Sequence, residues 1–176
     1  CLKSSLRMRP DRIIVGEVRS SEAATLLTAM NTGHDGSFGS LHANTAMETI
    51  TRMINPPMNV PPIMLTGLDL IIIQARLYID GKTARKITEV AEVAGMEGDK
   101  PRLNAIWKFN AATGQIEETG IPSKMRETIC TAAGITPAQF EQHVKQREQI
   151  LADLLNRDIR DIETVTKVIQ GFYASR

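Results

Sequence analysis

The stretch RIIVGEV at Arg12–Val18 decides how the first part of the chain folds. It follows a Pro-Asp pair and gathers β-branched residues in a short run, which is typical of a buried strand. A helix is predicted next in SSEAATLLTAMNTG, which begins with a serine cap and ends at Gly33. A second strand, SFGSLHA, follows, and Thr45–Glu48 has the pattern of a capping box that opens a helix through about Met53. This succession indicates the parallel sheet of an α/β fold.

The proline-rich segment NPPMNVPP, which starts at Asn55, separates this part from a series of predicted strands. The longest apolar run, LDLIIIQARLYI, contains charged residues and is shorter than the roughly 20 residues that a membrane span needs, so it is interpreted as a buried strand. Turn signals in Asp80-Gly81 and in AATG predict two hairpins. The predicted strands are Asp69–Ile79, KTARKITEVAEVAG, Asn104–Asn110 and Gln115–Thr119.

The rest of the chain has helical periodicity and good cap signals. Helices are predicted at Ser123–Ala133, Thr136–Leu155 and about Asp158–Phe172. We therefore expect two domains, an α/β part with appended hairpins at 1–122 and a helical subdomain at 123–176.

Composition argues against several functional classes. The 176 residues are 42% hydrophobic, and 21 Lys and Arg against 20 Asp and Glu give a net charge of +1. A near-neutral chain has no overall basic field for nucleic acid or anionic lipid, so no nucleic-acid partner is expected. Cys1 and Cys130 form no disulfide framework or metal motif. The chain starts without Met or a signal peptide, and we expect it to be part of a longer protein.

Glu17 and His42 are the candidate catalytic residues. Glu17 stands at the carboxyl end of the first strand, where ligands of open α/β sheets bind. If the second strand lies parallel beside the first, His42 emerges at the same edge, where its imidazole can donate a hydrogen bond to a phosphate oxygen. An acid at such a position orients water or holds magnesium in phosphoryl-transfer enzymes. A strand-end glutamate that only reaches solvent is the alternative.

His34 lies eight residues before His42. At about 3.3 Å per residue an extended segment places the two rings more than roughly 20 Å apart, so His34 is expected to be structural or a relay. Arg7, Arg9 and Arg19 flank the edge, and arginine suits bidentate contact with phosphate, in its own subunit or across an interface. These arginines can also be solvated flanking charges.

Two other motifs fail on spacing. A zinc site at Glu17, His34 and His42 lacks the helical i, i+4 pair and a nearby second cysteine, so no metal site is predicted. Gly81-Lys82-Thr83 resembles the end of a phosphate-binding loop, but Arg76 occupies the position of its first glycine. A strand rather than a helix follows it, so it is interpreted as a hairpin turn.

Two long motifs carry a resemblance to a known family. LRMRPDRIIVGEVRSSEA at Leu6–Ala23 resembles the Walker B region of the type II and type IV secretion ATPases, and TGHDGSFGSLHAN at Thr32–Asn44 is similar to their histidine box. The two motifs cover roughly residues 5–53, and their length and order are far more specific than those of a lone glycine motif. The later part resembles the archaeal pilus and archaellum assembly branch more loosely.

This resemblance implies a hexameric RecA-like motor that hydrolyses ATP with Mg²⁺ to drive secretion or pilus assembly. It would act at the inner face of the cell membrane, with a membrane platform protein and its own copies as partners. Glu17 matches the glutamate that orients the attacking water, and Gly16 stands where other such enzymes place a magnesium-binding Asp. His42 matches the phosphate-sensing histidine and His34 the second histidine of the box. Arg7 matches a family arginine that reaches the nucleotide of a neighbouring subunit. Arg19 matches a family arginine whose role is structural.

The chain departs from the family pattern by lacking the N-terminal domain, the Walker A loop and the acidic Asp box. We therefore expect the C-terminal part of such a RecA-like P-loop ATPase, inactive alone and unable to bind ATP or Mg²⁺ tightly. Two alternatives stay open: a non-catalytic module for oligomer contact or docking, and a related RecA-like DNA motor, which the near-neutral charge disfavours. The exposed edge of a partial sheet also predicts self-association.

Overall fold

A computed structural model describes residues 2–79 and 81–174. The chain divides into two compact units, Cys1–Met125 and Arg126–Arg176. The division into two domains at 1–122 and 123–176 stays a prediction. No helix in the described part of the chain is both long and apolar enough to cross a bilayer.

The first unit begins with an α/β layer. Strand β1 (Ile14–Val15) lies parallel to β2 (Phe38–Gly39), and helix α2 (Glu22–Asn31) connects them. Helix α3 (Ala46–Ile54) follows β2. The predicted parallel strands with helices are confirmed. Both strands are shorter than their predicted sequences, because the backbone leaves the regular ladder beyond the two register pairs. A short helix that the sequence did not predict, α1 (Leu2–Leu6), precedes β1.

A four-stranded antiparallel sheet follows, in the order β3, β4, β5, β6. Its bounds are Leu70–Ile79, Lys82–Glu97, Lys100–Asn110 and Gln115–Glu118. The apolar run predicted to be a strand is β3, and Gly81 at the following turn has a φ of 75°. The Asp80 of the turn signal lies outside the described residues. Between β4 and β5 an unpredicted turn at Gly98-Asp99 extends both strands beyond their predicted ends.

The core of this unit lies between the helices and the inner face of β3 and β4. Helix α2 buries four of its ten residues, including Leu26 and Leu27. Alternate β3 residues Ile71 and Ile73 are buried, as the period of a half-buried strand requires. The proline-rich connector ends in a 3₁₀ helix, Pro62–Gly67, which contributes the buried Leu65.

The second unit is helical. Helix α4 (Lys124–Ala133) leads into it, followed by α5 (Pro137–Asn156) and α6 (Ile162–Ala174). The predicted cap of α5 is confirmed. The backbone amide of Gln139 donates to Thr136 Oγ1 at 3.2 Å, and the backbone amide of Thr136 donates to the side-chain oxygen of Gln139 at 2.8 Å. The Arg147 guanidinium lies 5.6 Å from the ring centre of Phe172 and 5.8 Å from that of Tyr173.

Candidate functional site

The carboxyl ends of β1 and β2 meet at one edge of the sheet. Val15 pairs with Gly39, and the Ser40 amide donates to the Val15 carbonyl at 3.3 Å. Beyond the ladder the Val18 amide donates to the Ser40 carbonyl at 2.7 Å, so the two chain segments stay together past the strand ends. A Cβ on Gly39 would lie 2.9 Å from the Leu26 side chain, so a larger residue here would force the packing on α2 to shift.

This arrangement brings Glu17 and His42 into contact. His42 Nε2 lies 2.9 Å from Glu17 Oε1, and Arg19 Nε lies 2.7 Å from the same oxygen. Oε1 is enclosed, although the Glu17 side chain as a whole is 32% exposed, and neither nitrogen is aligned on it as a hydrogen-bond donor. The edge therefore carries one carboxylate shared by two basic side chains, both of which are largely exposed.

The pKa of the Glu17 carboxyl lies below its ordinary value of 4.5. The contact with Arg19 is the largest cause, and the charges of Arg19 and His42 add to it, while partial burial opposes the change. In return, the Glu17 carboxylate raises the pKa of Arg19. Glu17 is therefore ionised at neutral pH, and it can accept a hydrogen bond from a water molecule rather than donate one.

His34 makes its contacts away from this pair. His34 precedes β2, and its Nδ1 lies 2.8 Å from the Pro10 carbonyl oxygen, a contact in which the ring nitrogen carries the proton. Ser37 Oγ donates to the His34 carbonyl at 2.7 Å and accepts from the Ile13 amide at 2.9 Å. Arg7 is exposed, and among the described residues no ion pair joins it to Glu17.

Sequence reasoning missed a basic residue near this edge. Arg52 of α3 lines a cavity of about 300 Å³ together with Arg19 and His42. Its sequence signal is only the Glu48–Arg52 spacing of a helical ion pair, which is common on exposed helices. In the part of the chain that the structure describes, no three His, Cys, Asp or Glu side chains cluster as a metal site.

Comparison with known proteins identifies the family. The family described as Type II/IV secretion system protein matches residues 1–165. The chain belongs to this family. This confirms the family that the two sequence motifs predicted.

The chain is also similar to individual proteins. An uncharacterised protein of Methanocaldococcus jannaschii is 38% identical over 136 residues, which are 76% of this chain and 19% of that protein. Type II secretion system protein E of Aeromonas hydrophila is 33% identical over 150 residues, 76% of this chain and 29% of that protein. Among solved structures, the VirB11 ATPase from the Brucella suis type IV secretion system, in complex with sulphate, is 30% identical with a TM-score of 0.44 and covers 52% of this chain and 31% of that one. The chain spans between 19% and 63% of the length of the three M. jannaschii relatives that it matches.

Proposed function

We propose that the Glu17–His42 edge is the water-activating part of an ATP-hydrolysing centre in a secretion or pilus-assembly motor. The contact of 2.9 Å between Glu17 Oε1 and His42 Nε2 at the carboxyl ends of two parallel strands supports the proposal. Ligands of open α/β sheets bind outside such ends, and this edge carries both an acceptor for water and donors for phosphate.

The two residues have distinct roles in this proposal. The ionised Glu17 carboxylate accepts a hydrogen bond from the attacking water. This contact aligns the water oxygen with the terminal phosphorus. His42 donates from its ring to an oxygen of the terminal phosphate, so its contact with Glu17 changes when that phosphate leaves. Arg19 holds the carboxylate and keeps it charged, as the lowered pKa of Glu17 indicates.

In this proposal a phosphate-binding loop supplies the remaining contacts to the nucleotide, and the GKT sequence of this chain does not form one. Gly81 of the only GKT sequence lies in a turn that leads into β4, and a phosphate-binding loop must instead open a helix. Mg²⁺ usually binds through one or two carboxylates, waters and substrate phosphates. Glu17 alone does not form a metal cage, so the ion would be held mainly by the phosphates, where it neutralises their charge. In this proposal the 176 residues alone do not turn over ATP.

The larger assembly is proposed from family membership. The motor works as a homo-hexamer at the inner face of the cell membrane, with a platform protein in that membrane as its partner. Assembly of archaeal pili or archaella is the process that the later sequence favours. Hexamer contacts would place Arg7, which is exposed beside α1, where it can reach the nucleotide of a neighbouring subunit.

A single substitution in the full gene product tests the proposal. Glu17→Gln removes the charge and keeps the shape, so ATP should still bind while hydrolysis falls by roughly 100-fold or more, the usual contribution of a positioned acid or base. Steady-state phosphate release and nucleotide titration measure the two properties separately.

The matched control is Glu117→Gln. The pKa of Glu117 is also lowered, here by hydrogen bonds from Thr113 and Asn110, but Glu117 is exposed and lies on β6. This control should retain normal hydrolysis. Turnover at the normal rate by the Glu17→Gln variant would exclude the proposed role of Glu17.

A further inference from the structure

A cavity adjoins the Glu17–His42 edge. Its volume is about 300 Å³, near the lower end of the roughly 300–1,000 Å³ typical of small-molecule pockets. The polar wall consists of Arg19, His42 and Arg52, and Pro56, Pro57 and Met58 form most of the apolar wall. The lining within the described residues contains basic side chains and no carboxylate. A cavity of this size and charge suits a phosphate tail better than a whole nucleotide.

Arg52 is held at this cavity by a chain of polar contacts. Its Nε and Nη2 lie 2.8 Å and 2.7 Å from Glu48 Oε1. The other carboxylate oxygen, Oε2, accepts from the backbone amide of Asn44 at 2.8 Å and from its side chain at 3.0 Å. Glu48 thus ties Arg52 to the segment immediately after His42.

The apolar wall is also fixed in place. The Val60 amide donates to the Met53 carbonyl at 2.8 Å, and the Met58 amide donates to the Asn55 carbonyl at 3.1 Å. Met58 and Val60 are buried, which anchors the proline-rich segment against the core. The apolar wall and Arg52 are therefore held in place before any ligand enters, which lowers the entropic cost of binding.

Each basic side chain of the cavity contacts a carboxylate that does not line the cavity. Glu17 contacts Arg19 and His42, and Glu48 contacts Arg52. Arg52 Nη1 makes no hydrogen bond within the described residues, so the guanidinium keeps donor capacity for a ligand. The planar guanidinium group suits phosphoryl oxygens because it presents several donors in a fixed geometry.

We infer that Arg52 is a further contact to the phosphoryl groups of the substrate, acting beside His42 in the same cavity. Glu48 is its positioning residue. This inference rests on the proposed function for the identity of the substrate, a nucleoside triphosphate. It extends that function by assigning binding of the phosphate tail to α3, which follows the histidine-box stretch Thr32–Asn44 in the sequence.

The first test is Arg52→Gln in the full gene product. Titration with ATP, ADP and inorganic pyrophosphate should show affinity weakened by roughly fivefold or more, the effect of losing one half-exposed charged contact. Arg52→Lys keeps the charge and should lie between wild type and Arg52→Gln. The matched control is Arg157→Gln, since Arg157 also forms a helical i, i+4 ion pair and its side chain is 60% exposed, against 52% for Arg52. Unchanged affinity for pyrophosphate in Arg52→Gln would overturn the inference.

A second variant separates ligand contact from a purely structural role. Glu48→Gln removes the anchoring charge but leaves Arg52 in the protein. If Arg52 only stabilises α3 through Glu48, both variants should lower the melting temperature and the affinity for pyrophosphate to the same extent, and that result would overturn the inference. If Arg52 contacts phosphate, Glu48→Gln should weaken affinity clearly less than Arg52→Gln does, because the guanidinium remains in the protein and only its positioning by the Glu48 carboxylate is lost.

The two proposals fail in different ways. Normal pyrophosphate binding by Arg52→Gln together with lost hydrolysis in Glu17→Gln removes the Arg52 contact and keeps the proposed ATPase. Normal hydrolysis in Glu17→Gln together with weakened pyrophosphate binding in Arg52→Gln keeps the phosphoryl contact and removes the proposed role of Glu17. Titration with inorganic phosphate, done in parallel, shows whether one phosphoryl group is enough for binding or a polyphosphate is required. Weaker binding of phosphate or of pyrophosphate by Arg52→Gln supports the contact.

Discussion

At the scale of single residues, the pKa of the Glu17 carboxyl depends mainly on Arg19. The Glu17 carboxyl should titrate below its ordinary pKa of 4.5, because the guanidinium contact favours the ionised form. Arg19→Gln removes the largest cause and should move the midpoint upward. Carboxyl ¹³C NMR of a glutamate-labelled protein measures both midpoints directly.

The sign of the pH effect on stability follows from the same shift. Because the pKa of Glu17 is lower in the folded protein, its ion pair contributes stability above pH 4.5 and loses that contribution as the pH falls through the folded value. Arg85→Gln is the control, since Arg85 is exposed on β4. An identical Glu17 midpoint in the Arg19→Gln and Arg85→Gln variants would show that Arg19 does not set this pKa.

Ser37 joins the beginnings of the two parallel strands. Its hydroxyl accepts from the Ile13 amide and donates to the His34 carbonyl. Ser37→Ala removes both bonds next to the buried Ile13, and we expect the free energy of unfolding to fall by about 1–2 kcal/mol. Urea denaturation measures this loss, and faster hydrogen exchange at the Ile13 amide localises it. Ser20→Ala, at an exposed serine after β1, is the control and should change neither the free energy of unfolding nor the exchange rate of the Ile13 amide. Exchange of the Ile13 amide that stays slow in Ser37→Ala would refute the role of the Ser37 hydroxyl.

At the scale of elements, β4 stabilises the starts of two helices. Glu89 Oε2 accepts from the Ala46 amide at 2.8 Å, at the first residue of α3. Glu92 Oε2 accepts from the Lys124 amide at 2.7 Å, and its Oε1 accepts from the Met125 amide and the Ser123 hydroxyl. Carboxylates at helix N-termini interact favourably with the exposed amides and with the helix dipole. Strand β4 is therefore both part of the sheet and the capping partner of α3 and α4.

Glu92 is the stronger test of this arrangement because it is only 2% exposed. Glu92→Ala removes a buried charged acceptor from the first turn of α4, and the free energy of unfolding should fall by about 2–3 kcal/mol. Fluorescence of Trp107, the single tryptophan, follows the unfolding of the sheet, because Trp107 pairs with Val90 of β4. Glu97→Ala, at the exposed end of the same strand, is the control and should change stability by less than about 0.5 kcal/mol. Equal stability of the two variants would contradict the capping role.

The sequence predicted elements whose signals are local. The α5 cap depends on Thr136 and Gln139, which are close in sequence, and the β3–β4 turn depends on a short motif that ends at Gly81. Long-range contacts were not predictable in this way. Strict alternation with the buried Ala91 and Val93 would expose Glu92, but the start of α4 covers it.

The candidate site shows the same limit. Glu17 and His42 were predictable together because parallel strands end at one edge of a sheet. Arg52 was not, because its place at the cavity depends on the fold of the proline-rich segment after α3. The helix signal at Glu48 and Arg52 predicts an exposed ion pair and gives no indication of what lies across the cavity.

At the scale of the whole molecule, the two-stranded sheet has an exposed apolar face. Ile14 and Phe38 are register partners, so their side chains project from the same face, and they are 65% and 58% exposed. Both strands also have an unpaired edge among the described residues. Exposed apolar faces and open edges favour association, so the 176-residue chain should self-associate as its concentration rises.

Substitution of Ile14 and Phe38 by threonine tests which surface drives this association. The double variant Ile14→Thr, Phe38→Thr keeps β propensity while removing most of the apolar area, and the dissociation constant from sedimentation velocity should rise by roughly tenfold or more. The control variant Leu155→Gln, Ile162→Gln changes two residues of the second unit that are 80% and 77% exposed. If both double variants weaken association equally, the driving surface is not the sheet face, since loss of any exposed apolar area would then have the same effect. A wild-type chain that remains folded by circular dichroism and monomeric at every concentration would show that this face needs no cover, and the open sheet would then be stable by its packing on α2 alone.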